Sequence, residues 1–251
     1  MKISIITVSY NSSSTIRDTI DSVFYQTYPN IEYIIIDGSS TDDTVDIIKE
    51  YEGRFNGRMH YISESDKGIY DAMNKGIKLA TGGIIGILNS DDLFCDEYAI
   101  ERVMDVFETD KSIDAVYSDL IFVAKNDTLK VERKWIIGEQ KSFVRGWHPA
   151  HPTFFVKRKI YEEYGLFNLK YNLAADFELM LRFIEKNRIR IYYLRLFLVR
   201  MRLGGASTKG LKNVYIQNIE CLDAFRINEI KVNLFFYPIV RLIPKLFQYT
   251  N

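Results

Sequence analysis

The feature that most constrains this chain is a rhythm in its first third: short apolar runs alternating with amphipathic stretches. Residues 2–8 (KISIITV), 31–36 (IEYIII) and 84–88 (IIGIL) are nearly continuous apolar segments rich in isoleucine, and 59–62 (MHYI) is a shorter one. Runs of that length and composition are strands buried on both faces. Between them the period changes. Ser12, Ser13 and Ser14 offer N-caps for a helix carrying Ile16, Ile20, Val23 and Phe24, which Tyr28-Pro29-Asn30 stops. Thr41 or Asp42 caps a helix with Val45, Ile48 and Tyr51, and Gly53 to Gly57 forms a turn. Residues 68–80 place Ile69, Met73, Ile77 and Ala80 on one helical face, Gly82-Gly83 ends that unit, and a further helix covers 97–108. Strand–helix–strand repetition with short loops gives an α/β fold: a Rossmann-like, mostly parallel sheet with right-handed crossovers, flanked by helices. Such sheets bind ligands beyond the carboxyl ends of their strands. Three polar groups should therefore converge: Ser9-Tyr10-Asn11, Asp37-Gly38-Ser39 and Asn89-Ser90-Asp91-Asp92.

The second half is less regular. A β-hairpin is expected over 113–136 around Asn126-Asp127, a strand over 153–157, an amphipathic helix over 174–187, a long strand over 189–199 and a helix from about 211 to 228. No repeat or low-complexity linker divides the 251 residues. Lysine plus arginine and aspartate plus glutamate both number 33, so there is no global basic excess of the kind that binds nucleic acid. Cys95 and Cys221 lie too far apart in sequence to suggest a disulfide framework, which fits a cytoplasmic protein. MKISIITVSYN reads as a buried strand rather than a signal peptide, and no apolar run approaches the ~18 residues of a membrane span.

Asp91-Asp92 carries the most chemistry. Adjacent acids after an apolar strand repel one another and are partly desolvated. A divalent cation removes that cost, and Mg²⁺ typically uses one or two carboxylates together with substrate phosphates. The pair therefore reads as a metal–diphosphate site, for Mg²⁺ or Mn²⁺. By contrast Asp42 and Asp43 read as turn or cap residues.

The segments TVSYN (7–11), DGSSTDDT (37–44), SDKGIYDAMNKGI (65–77), LNSDD (88–92), HPTFFVKR (151–158), GLFN (165–168) and AADFELMLRF (174–183) resemble the successive motifs of family 2 glycosyltransferases, in particular bacterial enzymes of O-antigen or capsule synthesis. These are inverting enzymes of the GT-A fold that use nucleotide sugars. The resemblance covers roughly residues 1–207. It implies a catalytic domain over 1–207, with a nucleotide-sugar-binding half (1–110) and an acceptor-binding half (111–207), followed by a helical extension over 208–251. Thr7, Ser9, Tyr10, Asn11, Ser39, Lys67, Asn74, Asn89 and Ser90 would then line the donor site, and Asp37 would accept a hydrogen bond from the base. Asn89-Ser90-Asp91 occupies the family's Asp-x-Asp position with Asn in first place, leaving Asp91 as main metal ligand and Asp92 beside it. Asp176 matches the family's base; as a structural alternative, an Asp there is an N-cap. A helix N-terminus would favour its ionised form. Glu178, two positions on, should point elsewhere. Trp147 stacks on an acceptor sugar or fills the core, and His151 lies near acceptor or diphosphate. Arg202, also placed near acceptor or diphosphate, resembles with the loop 204–210 the family's mobile loop over the nucleotide.

Residues 232–249 (VNLFFYPIVRLIPKLFQY) are apolar and aromatic, with Lys231, Arg241 and Lys245 adding charge. This tail either rests on an anionic membrane at the inner face of the cell, which suits a polyprenyl-diphosphate-linked saccharide acceptor, or packs on the domain or on a second copy. Other classes fit less well. A nucleotidyltransferase wants Gly, Lys or Arg after the first strand, where TVSYNSSS has none. A dehydrogenase wants G-x-G-x-x-G there. An inactive binding partner would lack the strand-end acids or Asp176, and all are present.

Overall fold

The computed structural model describes residues 1–204, 210–233, 236–238 and 240–241. Four strands, β1 (Ile3–Ser9), β2 (Ile31–Asp37), β3 (Met59–Ser63) and β4 (Ile84–Ile87), pair in parallel in the order β3-β2-β1-β4. Every residue of β1, β2 and β4 is buried, as the continuous apolar runs require. The crossovers are α1 (Ile16–Phe24), α2 (Thr44–Glu52) and α3 (Ile69–Leu79). Helix α1 buries Ile16, Ile20 and Val23, and α3 buries Met73 and Ile77. α3 sits so close to the sheet that a Cβ on Gly76 would collide with Ile6. Ile69, expected on the buried face, is exposed because it opens the helix at the sheet's rim. The serines after β1 do not cap α1 with their side chains. The cap position is Thr15, and Ser12 serves through its carbonyl, which accepts from the N–H groups of Thr15 and Ile16.

Beyond β4 the sheet is mixed rather than mostly parallel. It continues β4-β8-β6-β9-β5, through β5 (Leu93–Phe94), β6 (Ala115–Ala124), β8 (Phe155–Lys157) and β9 (Ile191–Arg202), and β7 (Asp127–Trp135) forms the expected hairpin with β6. β8 runs antiparallel to β4 and β6, while β6 and β9 are parallel. Helix α4 (Ala99–Thr109) follows β5, and α5 (Arg158–Tyr164) follows β8. α6 (Ala175–Met180) continues as π-helical turns over Leu181–Lys186. β5 and α5 are absent from the sequence expectations because both are too short to show a period.

Helix α7 (Gly210–Ile227) lies against α6, burying Cys221, Ala224 and Phe225. Phe225 meets Phe177 edge-on with ring centroids 5.6 Å apart. The described part of the tail folds back onto this layer. Tyr237 is buried 4.8 Å from the Phe225 ring, and Arg241, expected to add charge to a membrane face, is buried and donates to Asn218 at 3.0 Å. The rest of the tail lies outside the described residues. Among the described residues, no helix is long and apolar enough to cross a membrane.

Candidate active site

Strand order 3-2-1-4 means that the chain reverses direction across the sheet between β1 and β4, and the crevice beyond that switch point is where open α/β sheets take ligands. The three polar groups do meet there. Ser9 Oγ donates to Asp37 at 3.0 Å, joining the ends of β1 and β2. The side chain of Asn11 accepts from the Thr41 N–H at 2.8 Å, and the Asn11 N–H donates to Ser40 Oγ at 2.8 Å. The Ser12 and Ser90 hydroxyls lie 2.8 Å apart, tying the loop after β1 to the loop after β4 across the switch point. Asn11 and Ser39 both adopt left-handed backbone (φ 47° and 59°). Gly38 is pressed between Asp66 and Tyr10: an added Cβ would lie 2.7 Å from Asp66 Oδ2. The exposed rim is formed by Tyr10, Asn11, Ser39 and Lys67, with Tyr10 65% exposed.

Three of the expected donor residues are committed elsewhere. Asp37 is fully buried and already accepts from Ser9 Oγ, Ser40 N–H, Ser40 Oγ and Ser63 Oγ (2.5–3.0 Å). Four donors fill the usual acceptor capacity of a carboxylate, and through them Asp37 ties the ends of β1, β2 and β3 together. Thr7 is fully buried and accepts from the Tyr33 hydroxyl at 3.0 Å. Asn74 makes a reciprocal pair with the backbone of Phe167, both bonds 2.9 Å, which joins α3 to the GLFN segment.

The acid pair sits on the turn after β4. Asp92 is 1% exposed; burial and then the neighbouring Asp91 push its carboxyl well above the usual range. Asp91 is less enclosed, and burial raises it while Arg202 opposes the rise. Asp92 Oδ1 and Asn89 Oδ1 are buried without a hydrogen-bond partner, an arrangement that costs free energy unless an electrophile is supplied. Among the described residues no cluster of three or more acidic, histidine or cysteine side chains has metal-binding geometry. One or two carboxylates suffice for a cation that shares its shell with a diphosphate, so the donor set fits such a cation. Arg202 is not a lid residue: it is 5% exposed, donates to the Asp91 carbonyl at 2.8 Å and pairs with Asp18. Its bond to the Asp91 carbonyl ties β9 to the acid turn. The loop residues 205–209 lie outside the described residues.

Asp176 is brought to the same edge by the second half of the chain. It is not an N-cap: that position is Ala174, and Asp176 lies within the first turn of α6. Its Oδ1 accepts from the Tyr70 hydroxyl at 3.1 Å. Tyr70 belongs to the first turn of α3, which begins just after the carboxyl end of β3, so Asp176 lies at the strand-end rim. Burial, and then the charge of Asp176, push the Tyr70 phenol well above its ordinary value, keeping it a neutral donor. Its ring stacks on Phe167, centroids 5.5 Å apart. His151 meets Phe167 edge-on at 5.7 Å; its Nε2 is buried and unpartnered, and burial lowers its proton affinity against the opposing charge of Asp176. Glu178 does point elsewhere: it is buried, paired with Arg182 at 3.0 Å and bonded to Asn228. Trp147 fills the core, donating to the Ile137 carbonyl at 3.1 Å and meeting Tyr117 and Phe143 edge-on. Tyr70, Ser12, Ser40 and Ser63 were missed as site residues. Tyr70 sits inside the SDKGIYDAMNKGI motif, but its partner is 106 positions away.

The sequence profile of glycosyl transferase family 2 matches residues 4–165. The chain belongs to this family. It is similar to the PGL/p-HBAD biosynthesis glycosyltransferase of Mycobacterium tuberculosis, 26% identical over 220 residues (86% of this chain and 83% of the relative). It is also similar to the chondroitin synthase of Escherichia coli, 31% identical over 184 residues; these span 73% of this chain but 26% of that much longer enzyme. Among solved structures, the S. aureus TarS 1–349 complex with UDP-GlcNAc superposes with a TM-score of 0.68 at 17% identity, covering 98% of this chain and 72% of that one. The Pyrobaculum calidifontis mannosyltransferase in complex with GDP-Man and Mn²⁺ also gives 0.68, at 16% identity, covering 98% and 69%. The fold is GT-A, and this family 2 protein is a glycosyltransferase whose relatives act in glycan and polysaccharide biosynthesis.

Proposed function

We propose that this glycosyltransferase transfers a sugar, with inversion, from a nucleotide-diphosphate donor, UDP being the nucleotide, to a hydroxyl of a saccharide or lipid-linked saccharide in cell-surface polysaccharide synthesis. The observation that carries the reading is the hydrogen bond from Tyr70 to Asp176, because it ties the candidate base to the strand-end rim that bears Asp91 and Asp92. Tyr10, with its ring open to solvent at the switch point, gives a nucleoside a face to stack on. Lys67 is exposed in the neighbouring loop, where it can meet the diphosphate. Asp91 and Asp92 would hold Mg²⁺ or Mn²⁺, which when bound stabilises charge developing on a diphosphate leaving group. The TarS and mannosyltransferase complexes, with UDP-GlcNAc in one and GDP-Man and Mn²⁺ in the other, support a nucleotide sugar and a divalent cation as ligands.

In the reaction so read, the acceptor oxygen attacks the anomeric carbon while Asp176 takes its proton, and the bond to the diphosphate breaks on the opposite face. A single displacement inverts the anomeric centre. His151 offers a second polar group beside Asp176 for the acceptor or the diphosphate. The acceptor approaches from the membrane's inner face, the exposed Phe236 offering apolar contact. A thermal-shift screen of nucleotide sugars with Mn²⁺ or Mg²⁺ tests the donor assignment. A donor at 100 times its Kd adds about 2.7 kcal/mol, so a matching UDP-sugar raises Tm only with metal present. No shift from any nucleotide sugar with either metal would reject the reading.

A further inference from the structure

Helix α7 lies beyond the region matched by the family profile, yet it grips the segment that delivers Asp176. Glu220, from the middle of α7, accepts three successive backbone N–H groups: Asn172 at 3.0 Å, Leu173 at 2.8 Å and Ala174 at 2.8 Å. One turn along, Asp223 accepts from Lys170 Nζ at 2.6 Å and from the Tyr171 hydroxyl at 2.9 Å, and one turn back Gln217 donates to the Leu173 carbonyl at 3.3 Å. Residues 217, 220 and 223 share one face of the helix, so this face is laced continuously to residues 170–174.

Local bonds order only the start of that segment, where Asn168 accepts from the Lys170 N–H at 3.0 Å and from the Tyr171 N–H at 3.2 Å. The residues before α6 are Leu173 and Ala174, neither of which has a side-chain acceptor, and the helix has no side-chain cap. Of the N–H groups left free at such a start, that of Ala174 finds its partner in a carboxylate 46 positions away in sequence, which also takes the two N–H groups before it. Charge-assisted bonds of this kind are about twice as strong as neutral ones. Asp176 follows Ala174 by two residues. Its carboxylate is held by the bond from Tyr70, and the helix that carries it packs into the core through Ala175 and Phe177.

We propose that Glu220 is a positioning residue for the transfer step: by holding the N–H groups of Asn172, Leu173 and Ala174 it fixes the place of Asp176, making α7 part of the catalytic apparatus. The inference rests on Asp176 being the base.

The test compares Glu220→Ala, Glu220→Gln and Asp176→Asn in the full chain. Turnover per folded molecule is read as UDP release from the nucleotide sugar selected in the thermal screen, and affinity is read with UDP and Mn²⁺. Glu220→Ala should lose at least tenfold in kcat, Glu220→Gln, which keeps one acceptor oxygen in place, should lose less, and both should bind UDP within about twofold of the parent. Should the alanine variant fail to fold, the glutamine variant faces the same criterion: measurable loss of kcat at parental UDP affinity. A lowered Tm with parental kcat in the folded fraction would overturn the inference, and so would a loss of UDP affinity matching the loss of turnover. Parental turnover in Asp176→Asn would remove the base assignment and this inference together. A silent Asp176→Asn with parental Glu220 variants would remove the inference alone.

Discussion

The region built on β1 to β4 and the region from residue 111 onward present their polar groups in different ways. In the first, each group directly follows a buried parallel strand, and neighbouring loops fasten one another: Ser9 to Asp37, Asn11 to Thr41, Ser12 to Ser90. In the second, the polar group that matters follows no strand. Asp176 sits on a short helix with an aromatic layer beneath it, Phe177 against Phe143 and Phe225, and is held by Tyr70 from α3 and by α7. The first arrangement is fixed by local chain order, the second by tertiary contacts. Substitutions should therefore separate donor binding from transfer.

The largest effect expected is at Asp176. Asp176→Asn should lower kcat by about 10²–10⁴-fold, the usual contribution of a general base; turnover near the parental rate would erase the distinction between the regions. Next is Trp147, a full core residue of the second region. Trp147→Ala should cost about 3–5 kcal/mol of stability, seen as a lower urea midpoint, while the folded fraction still binds UDP with Mn²⁺. A donor affinity that falls in step would mean that the two regions are not separable. Tyr70→Phe is gentler: the ring keeps its stack on Phe167 and only the donor to Asp176 is lost. A net hydrogen bond to a charged group is worth about 1.5–3 kcal/mol, so kcat should drop by about tenfold or somewhat more with UDP affinity unchanged.

The smallest effect is on acid stability, and here the regions should behave alike. Glu32, in β2, is pushed up by burial, but bonds from Lys2, Ser4 and Thr81 outweigh that and hold it at about 2. Asp223, in α7, is held at about 2 chiefly by Lys170. A carboxyl depressed by folding adds stability that is complete above its ordinary value near 4 and is lost as pH falls through the folded value. Tm should thus decline between about pH 4.5 and pH 2, and Asp223→Asn should flatten part of that decline. An unaltered slope would deny the Lys170–Asp223 pair its contribution.

The same contrast governs what could be read in advance. Isoleucine-rich runs disclosed β1 to β4, and chain order alone then brought Ser9, Asn11, Asp37 and Asp91-Asp92 to one edge. Identity of residue type did not disclose commitment: Thr7, Asp37 and Asn74 sit where a ligand was expected, but Tyr33, the serine hydroxyls and the Phe167 backbone already use them. Arg202 and the loop after it resemble the family's mobile loop, whereas the burial of Arg202 beside Asp18 depends on a fold that brings positions 184 apart into contact. Glu220 left no trace in the sequence, since a carboxylate in mid-helix resembles any solvated acid until the loop it caps is in place.

The central claim is that the acid turn after β4 binds the donor and the residue on α6 does not. Calorimetric titration of UDP with Mn²⁺ into the parent, Asp91→Ala and Asp176→Asn tests it most directly. Asp91→Ala should lose metal-dependent affinity by at least tenfold, while Asp176→Asn should stay within about twofold of the parent. Unchanged metal-dependent binding in Asp91→Ala, or its loss in Asp176→Asn, would contradict it.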